Sequence, residues 1–338
     1  MLWKRIFFGL LISVFWQCSS PAKRPNTSVE IEIDENVQLL RLAYNLALED
    51  SIEPYLRPCR NRFYELNHIP YLKFKQHPLV KTIREGDVWN ADLPVLGLCF
   101  TDDFILKENV DQDILKSQYG WYGANLDSLG QLLASFKKQT RFSWKGDLPE
   151  KEKLLDSIRS NKLHDKLGVF FKSNKEIVLN ICFDPLNNVT NKAIMFLDIS
   201  GAERTILLGS FCEEALFPEN DSILPWDEDT RRIIIHEMSH LYVDPIFPEM
   251  FETYFGKSDD PSFEYEMNEA LVRGITSFII RQNYGVEEGD KDISWQPEAS
   301  KQVYEALKGI NHTSHVGFTD IYSILMLRLR DSIAGNRE

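Results

Sequence analysis

The sequence predicts an α+β protein with a mainly helical N-terminal half, then a small mixed sheet, then further C-terminal helices. Three observations predict it. Apolar residues recur at helical spacing through much of residues 36–160, short apolar and β-branched runs gather between 168 and 211, and long amphipathic tracts return after residue 227. A small sheet followed by helices is the order of an α+β domain. At 338 residues, 43% hydrophobic and 12% aromatic, the chain has ample material for a core.

The first element is MLWKRIFFGLLISVFWQCSS, with basic Lys4 and Arg5 ahead of an apolar run from Ile6 to Trp16. That run is too short to span a bilayer and reads as a secretory signal over residues 1–18. Cys18 at its end invites a lipoprotein reading, with cleavage before it and a lipid on its thiol. The bulky Phe15, Trp16 and Gln17 leave simple cleavage or an uncleaved anchor as the alternatives. All three predict export, to the periplasm or cell envelope, with membrane contact through a lipid on Cys18 in the first. Residues 19–30 read as a tether, because SSPAKRPNTS has no apolar period.

Within residues 31–165, read as the helical region, VEIEID alternates like a strand at its start, and NVQLLRLAYNLALED, LDSLGQLLASFKK and EKEKLLDSIRSN follow as helices. The charged stretch Lys145–Lys153 reads as a loop or joint. Residues 166–338 form the second region. There GVFF, EIVLNICF, AIMFLDI and RTILLGSF read as consecutive strands between Asn- and Gly-containing breaks. DEDTRRIIIHEMSHLYV, PSFEYEMNEALVRGITSFIIRQN, PEASKQVYEALKG and FTDIYSILMLRLRDSIAG then read as helices.

The net charge is −13, and loss of Lys4 and Arg5 takes it to −15, which argues against nucleic acid as a partner. Cys59, Cys99, Cys182 and Cys212 match no CxxC pattern. They read either as up to two disulfides in any of three pairings or as buried thiols, with no chemistry assigned.

The stretch Ile233–Pro245 reads IIIHEMSHLYVDP. Asp227, Glu228 and Asp229 supply a helix start and Asp244-Pro245 a stop. His236 and His240 are four apart, so on a helix their rings lie about 40° from each other and can share one zinc ion. Glu237 projects about 100° to the side, where a general base reaches a water without occupying the metal. Ordinary amphipathic helices produce such a pattern by accident, but here the flanking Met238, Ser239, Leu241, Tyr242 and Val243 are uncharged. A buried Glu237 in that setting is costly without a partner.

A catalytic zinc site takes three protein ligands and keeps one position open. The next helical tract offers Glu264, Glu266 and Glu269. Met267, Ala270, Leu271, Gly274 and Phe278 mark its buried stripe, and Glu269 sits at the edge of that stripe, whereas Glu264 and Glu266 read as solvated. Glu269 is therefore the expected third ligand.

HEMSH followed by MNEALVRG resembles the gluzincin metallopeptidases, whose thermolysin-type members carry HExxH on one helix and a downstream Asn-Glu-Ala helix. The resemblance covers about forty residues. It implies a zincin-like catalytic region over 166–338, with His236, His240 and Glu269 as zinc ligands and Glu237 as base. The sequence departs from that pattern in a longer gap before Glu269 and in Arg273, which stands where an acidic residue is expected. Arg273 reads as an i,i+4 partner of Glu269 or as a contact for a substrate carboxylate. RLAYNLA, FKQHPLVKTIRE, FDPLNN and the HExSH helix with its following Pro also resemble a secreted bacterial family of unknown function related to gluzincins.

An oxyanion donor is expected after the ligands, and His315, then His312, are the candidates, with a tyrosine left open. Tyr242 reads as packing, and His68, His77 and His164 as structural or surface residues, with His77-Pro78 a helix boundary. In gluzincin-like folds a sheet edge near the metal helix pairs with an extended substrate; 193–199 and 204–211 both remain open for it. The expected function is an exported zinc metallopeptidase acting on a peptide or protein. The alternative is a surface lipoprotein that binds a partner or glycan and keeps zinc only as a structural clamp.

Overall fold

The computed structural model describes residues 28–51, 58–86, 91–172, 178–187, 191–197, 203–209, 226–310 and 318–335. The signal segment, Cys18, Cys212, His312 and His315 lie outside the described residues. In chain order the elements are β1 (Val29–Glu32), α1 (Glu35–Leu48), α2 (Tyr64–Asn67), α3 (Pro78–Glu85), α4 (Gln112–Ala124), α5 (Leu126–Thr140), α6 (Glu150–Ser160) and α7 (Leu163–Phe170). Then come β2 (Val178–Asp184), β3 (Lys192–Ile194), β4 (Glu203–Gly209), α8 (Glu228–Val243), α9 (Phe247–Phe255), α10 (Pro261–Tyr284), α11 (Val286–Ser294), α12 (Glu298–Gly309) and α13 (Phe318–Gly335). The class is α+β with a small mixed sheet.

The sheet runs β1-β2-β4-β3; the first three strands are parallel and β3 is an antiparallel edge. Alternation sends its side chains into two cores. Val29, Ile31, Leu179, Ile181, Phe183, Ile206 and Leu208 pack on one face with α6–α8, α10, α12 and α13. Cys182, Ile194 and Leu207 pack on the other with α1, α3, α4 and α5. Both faces are covered, which is why β2 and β4 read as continuous apolar runs. The first core draws on both sides of residue 165, because β1, α6 and α7 lie in it with the C-terminal helices.

Two strand expectations are corrected. Gly168–Phe171 is not a strand, since Leu163–Phe170 is helical. Leu163, Leu167 and Phe170 are buried at helical spacing while Val169 is 74% exposed, and a four-residue apolar run is too short to display that period. Of AIMFLDI, Ala193 and Ile194 with the preceding Lys192 form the strand, and Leu197 makes one bridge to Val110. Helices α9 and α11 follow the turns that end α8 and α10, and their short amphipathic patterns carry no separate sequence signal.

His77 caps α3, its Nδ1 accepting from the Leu79 amide at 3.1 Å, and His68 lies buried at 2.5 Å from Glu49. Cys99 and Cys182 are buried free thiols, whereas Cys59 is disulfide-bonded. Among the described residues no helix is long and apolar enough to cross a membrane.

Helix α10 is the long element that crosses behind α8, and Gly274 sets its distance from α12. A Cβ at Gly274 would lie 2.6 Å from the Ser300 carbonyl oxygen and 2.6 Å from Val303 Cβ, so only glycine allows this approach. Gly274→Ala is expected to destabilise the fold by about 1–3 kcal/mol through overpacking, read as a lowered midpoint in urea unfolding. An unchanged midpoint would show that α10 and α12 separate freely.

Candidate metal centre

Helix α8 begins where Asp227 accepts from the Thr230 amide at 2.8 Å, with Glu228 and Asp229 in the first turn complementing the helix dipole. Ile234, Ile235, Met238, Leu241 and Val243 seat it in the first core. That seating turns His236 and His240 outward together, with ring centroids 4.8 Å apart. Arg204 of β4 fixes the far end: it donates to the Leu241 carbonyl, and its guanidinium lies 4.5 Å from the Tyr242 ring centroid. Tyr242 in turn stacks on Phe171 at 4.4 Å, so it is a packing residue.

Helix α10 starts at Asp260, which accepts from the Ser262 amide at 3.0 Å, with Pro261 at its first position. Met267, Ala270 and Leu271 bury against the same core and carry Glu269 to the histidines. His240 Nε2 lies 3.2 Å from His236 Nε2 and 3.3 Å from Glu269 Oε1, and His236 Nε2 lies 3.7 Å from Glu269 Oε2. Ligand atoms around a tetrahedral ion bonded at about 2.0–2.1 Å stand about 3.3 Å apart. The first two separations match that edge, the third runs to the other Glu269 oxygen, and with one ligand atom taken from each residue all three lie within 4.8 Å of one another. Among the described residues, His236, His240 and Glu269 are the group able to hold a metal ion.

Behind them, the Asp244 carboxylate accepts from His240 Nδ1 at 2.9 Å and from Asn268 Nδ2 at 2.9 Å. An acceptor at Nδ1 places the imidazole proton there and leaves Nε2 for the shared point. Sequence reasoning treated Asp244 only as a helix stop and did not single out Asn268. The available signal was an acid one turn after His240, and an amide beside Glu269. Tyr265 was also missed; it stands one turn before Glu269, and burial together with that carboxylate raises its hydroxyl pKa. Arg273 Nε donates to Glu269 Oε2 at 3.1 Å, the i,i+4 pair its spacing suggests. Glu264 is half-buried and Glu266 exposed, and neither belongs to the group.

The ionisation states follow from burial and neighbours. Burial, helped by the His240 charge, lowers His236 to about 3, so its ring is neutral. Burial opposes charge on His240 as well, but its hydrogen bonds to Asp244 and Glu269 outweigh it and raise His240 to about 10. Burial would raise Glu269, yet the hydrogen bond to His240 and the neighbouring positive charges hold it at about 2. Glu237 is 7% exposed, and burial, with Glu269 nearby, raises it to about 7 against the opposing pull of His240 and a hydrogen bond from the Ala193 amide.

Among the described residues β3 is an edge strand of the sheet, and it packs against α8. Lys192 pairs with Asp92, and Tyr119 donates to the same carboxylate at 3.1 Å, tying β3 to the second core. Comparisons with protein-family models, curated proteins and solved structures return no match for the chain.

Two outcomes test the centre. Asp244→Ala is expected to weaken metal binding by about 10–100-fold, measured by competition with a chromophoric chelator, because it frees the His240 ring. His240 would shed its proton on binding a metal, whereas His236 is already neutral and Glu269 already ionised. Metal uptake at pH 8 should therefore release about one proton, and affinity should rise roughly tenfold per unit from pH 8 to 9. Calorimetry in buffers of differing ionisation enthalpy reads this directly; no release would show His240 neutral beforehand.

Proposed function

We propose that the chain is a zinc metallopeptidase, with His236, His240 and Glu269 as ligands and Glu237 as general base. The observation that carries the reading is the convergence of two imidazoles and one carboxylate beside a second, buried carboxylate whose pKa is raised to about 7. Two imidazoles and a carboxylate are a donor set typical of catalytic zinc, where the ion supplies a Lewis acid and acidifies a water. A base titrating near neutrality takes a proton and gives it up again at working pH.

The substrate reading rests on β3. Among the described residues it is an edge strand packed on α8, the helix that carries Glu237, and such an edge offers main-chain groups to an extended peptide. An antiparallel edge strand packed on the metal helix is also what supports a zincin-like fold here. Export, and a lipid on Cys18, are proposals supported by the N-terminal sequence alone.

The test joins metal analysis to a peptide-library assay. Wild-type protein should carry one zinc per chain and cleave peptides; Glu237→Gln should keep the zinc and lose at least about 100-fold in kcat/KM. His236→Ala should lose both. Full turnover by Glu237→Gln would remove the assigned base, and stoichiometric zinc with no cleavage by wild type would favour the clamp.

A further inference from the structure

The geometry points to Arg273 as the residue that selects ligands carrying a carboxylate, so that the substrate is a peptide with an acidic side chain or a free C-terminus beside the cleaved bond. This inference rests on the hydrolytic reading for its substrate, but its binding element stands on the arrangement of α10. Tyr265, Glu269 and Arg273 are four residues apart in turn and line one side of that helix, with Glu269 aimed at the histidines.

The Arg273 side chain is 37% exposed, and its contact to Glu269 uses Nε alone. Among the described residues no hydrogen bond engages its two terminal amino groups. Those groups form the planar fork that matches a carboxylate through two parallel hydrogen bonds.

Charge accounting points the same way. Among the described residues Glu269 is the one carboxylate paired with Arg273. An ion of charge +2 held by Glu269 takes that counter-charge, and the guanidinium beside it is left without a compensating anion of its own. Arg232, also near the histidines on α8, differs in this respect. It lies 3.4 Å from Asp229, 3.8 Å from Asp292 and 4.8 Å from the Trp295 ring centroid. A partly exposed, uncompensated cation on the metal side of α10 is a local attraction for an anion on a chain whose net charge is −13.

Calorimetry on zinc-loaded Glu237→Gln protein tests the inference without turnover, using acetyl-glutamate α-amide, acetyl-glutamine with a free carboxyl, and acetyl-glutamine α-amide. One of the two carboxylate probes should bind about 10–100-fold more tightly than the uncharged amide, and the winner identifies a side-chain or a terminal carboxylate as the source. Adding Arg273→Gln should reduce that advantage below about threefold. An equal affinity for all three probes overturns the inference. So does an advantage that persists in Arg273→Gln, since it then belongs to the ion. If Arg273→Gln loses zinc, Arg273→Lys is read instead: a weakened advantage supports the fork, and an unchanged one overturns it. Carboxylate binding through Arg273 in a wild-type protein that cleaves no peptide would sink the hydrolytic reading alone, and cleavage without carboxylate preference would sink this one alone.

Discussion

The Asp244 carboxylate is the constraint on which the centre depends. It lies where α8 ends and accepts from a ring nitrogen of its own helix and from Asn268 of α10. One side chain thereby sets the orientation of the His240 ring and the register of the helix that brings Glu269. Hydrophobic packing holds α8 and α10 together over most of their contact, but apolar contacts are non-directional and do not fix a ring angle. A charge-assisted hydrogen bond does.

The sheet contributes the other half of the site. Arg204 reaches from β4 to the last turn of α8, where the helix leaves carbonyls without intrahelical partners. On the other side β3 packs against α8. These contacts hold α8 against the edge of the sheet. A carboxylate as deeply buried as that of Glu237 is held half-ionised near neutrality by the balance between desolvation and the imidazole beside it. The second core supports this from behind: Asp92 and Tyr119 anchor Lys192, so helices remote in sequence from the motif hold the strand that faces it.

Much of the helical architecture was legible because each helix carries its own period. The NVQLLRLAYNLAL tract, the HExxH tract with its Asp227 cap, and the long tract from Pro261 to Tyr284 show apolar residues at three- and four-residue intervals. The failures are equally physical. Gly168–Phe171 read as a strand because an apolar run of four has no period, and its helix is revealed only once Leu163 and Leu167 are seen to share its buried face. Strand β3 was placed within a longer run because a three-residue edge strand held mainly by its neighbours leaves little trace in composition.

For the site, the sequence by itself determined what depends on one helix. Four-residue spacing puts His236 beside His240, Glu237 to one side, and Arg273 against Glu269, whatever the rest of the chain does. Tertiary structure decided everything that lies between elements: that Glu269 rather than Glu264 or Glu266 meets the histidines, that Asp244 serves His240 and Asn268 together, and that β3 packs on α8. Local geometry follows from backbone dihedrals and is written residue by residue. The distance between two helices follows from the summed packing of side chains far apart in the chain, such as Gly274 against Ser300 and Val303, and no short stretch of sequence contains it.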